Sequence, residues 1–173
     1  MTSIYATKGD ITGFTGDAIV NAANPQLAGG GGVDGAIHSA GGPAILAECR
    51  EWVAANGNLP TGEAMITGAG DLDVEAVIHT VGPVWAEHDE DNARRLLAAC
   101  YRNSLDLAME HGLRSIAFPN ISTGVYGFPK EEAAQTAMET VQTWVANEPG
   151  LEEVVFVCFD EGNLRLYSRL ADS

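Results

Sequence analysis

Two glycine-rich segments hold most of the residues that could do chemistry. The first runs Asn21-Ala22-Ala23-Asn24-Pro25-Gln26-Leu27-Ala28, then Gly29-Gly30-Gly31-Gly32-Val33-Asp34-Gly35-Ala36-Ile37-His38. Four glycines in a row cost about 1 kcal/mol each to order, relative to better formers. They are useful where the main chain must approach a ligand closely or take a positive φ. Gly30, Gly32 and Gly35 also satisfy G-x-G-x-x-G, but the rest of a dinucleotide site is missing. The preceding apolar run ends well upstream, and no acidic residue closes a strand about 20 residues on. The plain alternative is a flexible loop.

The second segment is Pro119-Asn120-Ile121-Ser122-Thr123-Gly124-Val125-Tyr126-Gly127-Phe128-Pro129. Consecutive N–H groups in such a turn make a nest for phosphate oxygens, with Ser122 and Thr123 as hydroxyl donors. Tyr126, between glycines, would present an aromatic face. Asn120-x-Ser122-x-Gly124 lacks the first glycine of the nucleophile elbow G-x-S-x-G, and no obvious Asp…His pair follows Ser122. A serine hydrolase is disfavoured on both counts. A third segment, Lys8-Gly9-Asp10-Ile11-Thr12, reads by itself as a turn in which Asp10 closes an Asx-type loop.

These segments need regular elements to present them. Apolar runs at 4–7, 18–22, 64–67, 76–81, 115–119 and 153–159 read as strands. Several lack polar alternation, as strands covered on both faces do. Helical stretches at 35–55, 92–110, 130–146 and 163–170 separate them. Within 92–110, Leu96, Leu97, Cys100, Leu107 and Ala108 largely share one face, and His111-Gly112 supplies the stop. Strands alternating with helices predict an α/β sandwich. Both glycine loops follow a strand and precede a helix, the position where open α/β sheets bind ligands.

Composition narrows the function classes. A chain of 173 residues with 46% hydrophobic residues suits one domain spanning 1–173. Nine basic residues against 24 acidic ones give a formal charge of −15. That argues against nucleic acid or an anionic membrane as partner. With only two lysines, the composition also suits a surface kept hydrated at high salt, as in a halophile. Cys49, Cys100 and Cys158 are spaced for neither metal nor disulfide, and read as buried thiols in a reducing cytosol. The start of the chain lacks a signal-peptide pattern, and no apolar run approaches transmembrane length, so a cytoplasmic protein is expected.

Taken together, the motifs are similar to those of the macrodomain family, and within it of the MacroD-type ADP-ribosyl hydrolases. The matching segments are KGDIT (8–12), NAANPQLAGGGGVDGAIH (21–38), PTGEAMIT (60–67), VIHTVGP (77–83), PNISTGVYGFP (119–129) and VCFDEGN (157–163). The resemblance implies a three-layer α/β/α sandwich on a mixed, largely parallel sheet of about six strands. It implies that Asp10 accepts from the adenine amino group beside Ile11, with Phe159 flanking the ring. Gly31, Gly32, Val33 and the backbone of Ser122, Thr123, Gly124, Val125 and Tyr126 would hold diphosphate and distal ribose. Tyr126 would stack on that ribose, and Asn24 and Asp34 would form the polar pair of the hydrolytic branch.

The activity so implied is hydrolysis of ADP-ribose esters: O-acetyl-ADP-ribose and proteins mono-ADP-ribosylated on Asp or Glu. An exposed carboxylate is a feeble base at neutral pH, so Asp34 is expected to orient a water beside the ribose C1″. A diphosphate oxygen would share the proton. Neither metal nor cofactor is expected, and the protein is expected to be a monomer. The runner-up is a module that captures ADP-ribose without turnover. No glutamate pair follows the glycines, no lysine lies in the first loop, and the Cys/His ligands of a zinc-containing branch are not evident. His38, His79, His88 and His111 are all read as structural.

Overall fold

In the computed structural model, which describes residues 1–171, alternate strand side chains feed two separate cores. Six strands form one sheet: β1 (Ser3–Lys8), β2 (Ala18–Ala22), β3 (Ala64–Gly68), β4 (Ala76–Thr80), β5 (Ser115–Phe118) and β6 (Glu153–Cys158). Their order is β1-β6-β5-β2-β4-β3, parallel except for β3 against β4. From β2 and β4, Ala18, Val20, Ala76 and Ile78 face one core, while Ile19 and Val77 face the other. Both faces are therefore apolar, which is why these strands show no polar alternation.

Five helices cover the sheet: α1 (Gly32–Gly41), α2 (Pro43–Asn56), α3 (Glu90–Glu110), α4 (Lys130–Asn147) and α5 (Glu161–Ala171). α3, α4 and α5 pack on one face, where Phe118, Phe156, Tyr101 and Tyr167 stack in a chain of rings. α1 and α2 cover the other face through Ile37, Ile45 and Cys49. The result is the expected three-layer α/β/α sandwich.

Two expectations need correction. The helix expected over 35–55 is two helices, and the first starts earlier, at Gly32. The break lies at Gly41-Gly42-Pro43, where Gly42 has φ +81 and Pro43 starts the next helix. A glycine in that region ends a helix, and proline at N1 begins one. On α3 the buried stripe is Ala93, Leu97, Cys100, Tyr101, Ser104, Leu105 and Ala108. Leu96 and Leu107 flank it, half-buried, because the contact face is centred on Tyr101 rather than on them.

All three cysteines are buried and free. Burial pushes each thiol up to about 11, so none offers a thiolate near neutral pH. Among the described residues, no helix is long and apolar enough to cross a membrane.

Candidate functional site

The sheet splays between β2 and β5. These strands pair only through Ala18 with Ile116 and Ile19 with Ala117, so their carboxyl ends part. β2 leads to α1 on one face of the sheet, whereas β5 leads to α4 on the other. The two following loops therefore diverge, and a cleft of about 770 Å³ lies between them. A shallower depression of about 450 Å³ between α3 and α4 holds none of the expected site residues.

Asp34 sits in the first turn of α1 and lines the cleft, yet is only 6% exposed. The sequence reading took it as exposed. Asn21 Nδ2 donates to Asp34 Oδ1 at 2.8 Å, and His38 Nε2 lies 3.2 Å from the same oxygen. Oδ2 has neither contact. A Cβ built on Gly30 would lie 3.4 Å from Oδ2 and 3.7 Å from Asn24 Nδ2, so Gly30 separates the two polar groups. Asp34 does not cap its helix: the N-cap is Gly31, with no side-chain cap bond. His38, read as structural from sequence, is thus a neighbour of the carboxylate, one turn along the same helix.

Asn24 is committed to its own loop. Its Nδ2 donates to the Gly29 carbonyl at 2.9 Å, and its Oδ1 accepts from Ala28 N–H at 3.1 Å. One amide hydrogen is left for anything else. Among the described residues, the N–H groups of Gly30, Gly31, Gly32 and Val33 donate to no protein acceptor. A Cβ on Gly31 or Gly32 would meet no protein atom, and Gly32 has φ +58. Gly35 fits for a different reason. A Cβ there would strike the Gly30 carbonyl, so only glycine lets α1 pack against the loop.

The second loop is pinned by its own backbone: Phe128 N–H donates to Ser122 O, Gly127 N–H to Gly124 O, and Trp85 N–H to Tyr126 O. The N–H groups of Thr123, Gly124, Val125 and Tyr126 have no protein acceptor among the described residues. Ser122 has φ +67, a strained value for a non-glycine, and its buried Oγ has no partner. That hydroxyl packs against Gly82, where a Cβ would collide with it. The Thr123 hydroxyl does not face a ligand as expected, since it donates to Asn120 O at 3.1 Å. Val125 is fully exposed at the loop tip, and Tyr126 is half-buried. Burial, then the charges of Asp34 and Glu87, raise the Tyr126 hydroxyl pKa.

At the far end of the cleft, Asp10 Oδ1 accepts from Thr12 N–H at 2.9 Å and Thr12 Oγ1 at 2.7 Å. These bonds lower its pKa, the side-chain one contributing most. The Asx-type turn is therefore real, and it leaves Oδ2 for a ligand. Ile11 is buried beside it, and Phe159 is 84% exposed just beyond β6. Lys130, paired with Asp160 at 3.7 Å, and the buried Asn163 complete this end.

Every site residue expected from sequence lines this one cleft. Gly30, Gly82 and Asn163 also line it, and the buried Asn21 and His79 stand behind Asp34; the sequence assigned no site role to these five. For the last two, a polar residue inside the apolar runs AIVNA and AVIHT was the available signal.

The Macro domain family model matches residues 20–137. The O-acetyl-ADP-ribose deacetylase of Klebsiella pneumoniae is 58% identical over 165 residues, 95% of this chain and 94% of that protein. The Oceanobacillus iheyensis macrodomain with ADP superposes at TM-score 0.94 and 45% identity, covering 99% of this chain and 90% of that one. A Trypanosoma brucei macrodomain in complex with ADP-ribose superposes at TM-score 0.87 and 40% identity, covering 96% and 68%.

Proposed function

The chain belongs to the macrodomain family, and on that premise we propose that it is a hydrolase of ADP-ribose esters. Its substrates in this reading are O-acetyl-ADP-ribose and proteins mono-ADP-ribosylated on Asp or Glu. The observation that carries it is the state of Asp34. One carboxylate oxygen is tied to Asn21 inside the protein, and the other is left beside Gly30 and Asn24 in a cleft flanked by unpartnered N–H groups.

The residues divide the work by chemistry. Asp10 accepts from the adenine amino group through Oδ2, with Ile11 and Phe159 against the ring. The N–H groups of Gly31, Gly32 and Val33, and of Thr123 to Tyr126, surround the diphosphate from both loops. The N-terminus of α1 adds its dipole to that field. Tyr126 stacks on the distal ribose. Asp34 Oδ2 accepts a hydrogen bond from a water and aims it at the ester, and a diphosphate oxygen shares its proton. Asn24 shapes the glycine loop and offers one amide hydrogen to a ribose hydroxyl. Ser122 serves mainly through its backbone conformation.

In this reading the protein is a cytoplasmic monomer that needs neither metal nor cofactor. Its net charge of −15 supports a partner that is not a polyanion. The test runs O-acetyl-ADP-ribose and a protein mono-ADP-ribosylated on glutamate side by side. Release of acetate and of ADP-ribose is expected. Tight ADP-ribose binding with turnover of neither substrate would leave a capture module instead.

A further inference from the structure

We propose that His79 is a positioning residue for this hydrolysis: it orders the Asn21 amide, and through that amide fixes the carboxylate of Asp34. The proposal rests on the reading of Asp34 given above. Asn21 on β2 and His79 on β4 are register partners, and both are fully buried. Asn21 Nδ2 lies 2.8 Å from Asp34 Oδ1 and 3.0 Å from His79 Nδ1. A carboxylate oxygen only accepts, so the amide must turn its NH₂ group that way. Its second hydrogen then meets His79 Nδ1, which must be a bare acceptor.

The imidazole is therefore neutral, with its hydrogen on Nε2. Thr67 Oγ1 lies 3.0 Å from Nε2 and accepts it, and the Thr67 hydroxyl donates onward to the Gly68 carbonyl at 2.8 Å. The row is closed at each end by a group that can only accept, so its sense is fixed. With Nδ1 protonated, the Asn21 amide would have to turn its oxygen toward the ring, and Asp34 would lose its amide donor, leaving only His38 beside that oxygen. Burial holds the ring neutral, pulling its pKa down to about 3, with the charge of nearby His38 adding to the effect. Cys49 Sγ, 3.8 Å from Nε2, is held as a thiol by its own burial.

As a device for stability alone, the row is poorly designed. Asn21 Oδ1 is buried with no hydrogen-bond partner, on the sheet face that Ile19 makes apolar, where an apolar pair would avoid that cost. The group that gains is Asp34, whose Oδ1 is immobilised from beneath while Oδ2 stays on the cleft.

His79→Leu, His79→Asn and Thr67→Val are compared with the unmodified protein for kcat and KM on O-acetyl-ADP-ribose, ADP-ribose affinity and melting temperature. His79→Leu should lower kcat about 10- to 100-fold, as a misplaced catalytic group does. KM and ADP-ribose affinity should stay within about twofold, since the cleft walls are untouched. His79→Asn, which restores an acceptor facing Asn21, should recover most of kcat. Thr67→Val, nearly isosteric, should lose several-fold in kcat with little change in melting. A folded His79→Leu with normal kcat overturns the proposal. Should His79→Leu fail to fold, an unchanged kcat in Thr67→Val overturns it equally. An unmodified protein that binds ADP-ribose without turnover removes the hydrolase reading and this proposal together; active protein with indifferent variants removes this proposal alone.

Discussion

Asp34 and Gly30 are the residues at which small changes should read out most clearly. Asp34→Ala removes the group that orients water, and should cut hydrolysis about 10²–10⁴-fold with ADP-ribose affinity within about 1 kcal/mol. It should also melt lower, because the buried Asn21 amide loses its acceptor. Gly30→Ala tests the same geometry from the other side. Its methyl would sit against Asp34 Oδ2 and Asn24 Nδ2, so turnover should fall while the melting temperature barely moves. Normal turnover by both folded variants would take Asp34 out of the mechanism. His79 sets a pH dependence of stability. Its folded pKa of about 3 lies below the unfolded value of 6.5, so between these the unfolded chain binds the extra proton. Stability should therefore be level above pH 6.5 and fall as pH drops toward 3, by at most ~5 kcal/mol. Urea unfolding at pH 7, 5.5 and 4 measures this, and a flat profile would show that the ring takes up a proton within the fold.

The elements carry the site by where they end. β2 and β5 part after two register pairs, and the helices that follow them leave on opposite faces. The glycine loop is then held to the sheet through α1, whose far end is the break at Gly42. Gly42 has φ +81, which strains any side chain, and a built Cβ 3.0 Å from Asp71 Oδ2 would also push that exposed carboxylate aside. Gly42→Ala should cost about 1–3 kcal/mol. That is roughly 2–12 °C in melting temperature for a chain of this size. The cleft lies at the other end of α1, so ADP-ribose affinity below the melt should be unchanged. A melt equal to that of the unmodified protein would show that the two helices tolerate a continuous connection. Gly32→Val belongs to the same scale with the opposite emphasis. Its φ of +58 disfavours any side chain, and the open space beside it is the cleft, so stability and ligand binding should both suffer.

For the whole molecule, two measurements follow from ligand linkage and from charge. ADP-ribose at about 100 times its dissociation constant should stabilise the fold by about 2.7 kcal/mol. That corresponds to roughly 5–11 °C. NAD should do much less, since the two loops would enclose the distal ribose and leave little room for nicotinamide. A melt indifferent to millimolar ADP-ribose would sink the ligand assignment. The second concerns the net charge of −15. Both lysines are paired with carboxylates where β6 passes into α5, Lys8 with Glu161 and Lys130 with Asp160, and the nine basic residues fall far short of the 24 acidic ones. Stability should rise from low to molar KCl as self-repulsion is screened. A halophilic protein would show a steep gain, and no gain would remove that idea. Ligand binding should be less salt-sensitive, because neither glycine loop contains Lys or Arg.

Strand positions, the two glycine loops and the motifs that name the family were all legible in the linear chain. Each is set by local chemistry: apolar runs make buried strands, and clustered glycines permit positive φ and close approach. The Ser122–Tyr126 stretch stood out through its own glycines and hydroxyls, whereas Asp10 and Phe159 were assigned only through the resemblance to the macrodomain family. The tertiary structure decided what depends on distance through space. Asp34 is buried because α1 folds back over Asn21, 13 residues earlier, and no local pattern reports that. His79 is 58 residues from Asn21 and became its partner only through the β2–β4 register. Asn24 and the Thr123 hydroxyl turned inward to brace their own loops, which residue type alone leaves open. Local sequence fixes which groups are available, whereas pairing across the sheet determines which of them remain free for a ligand.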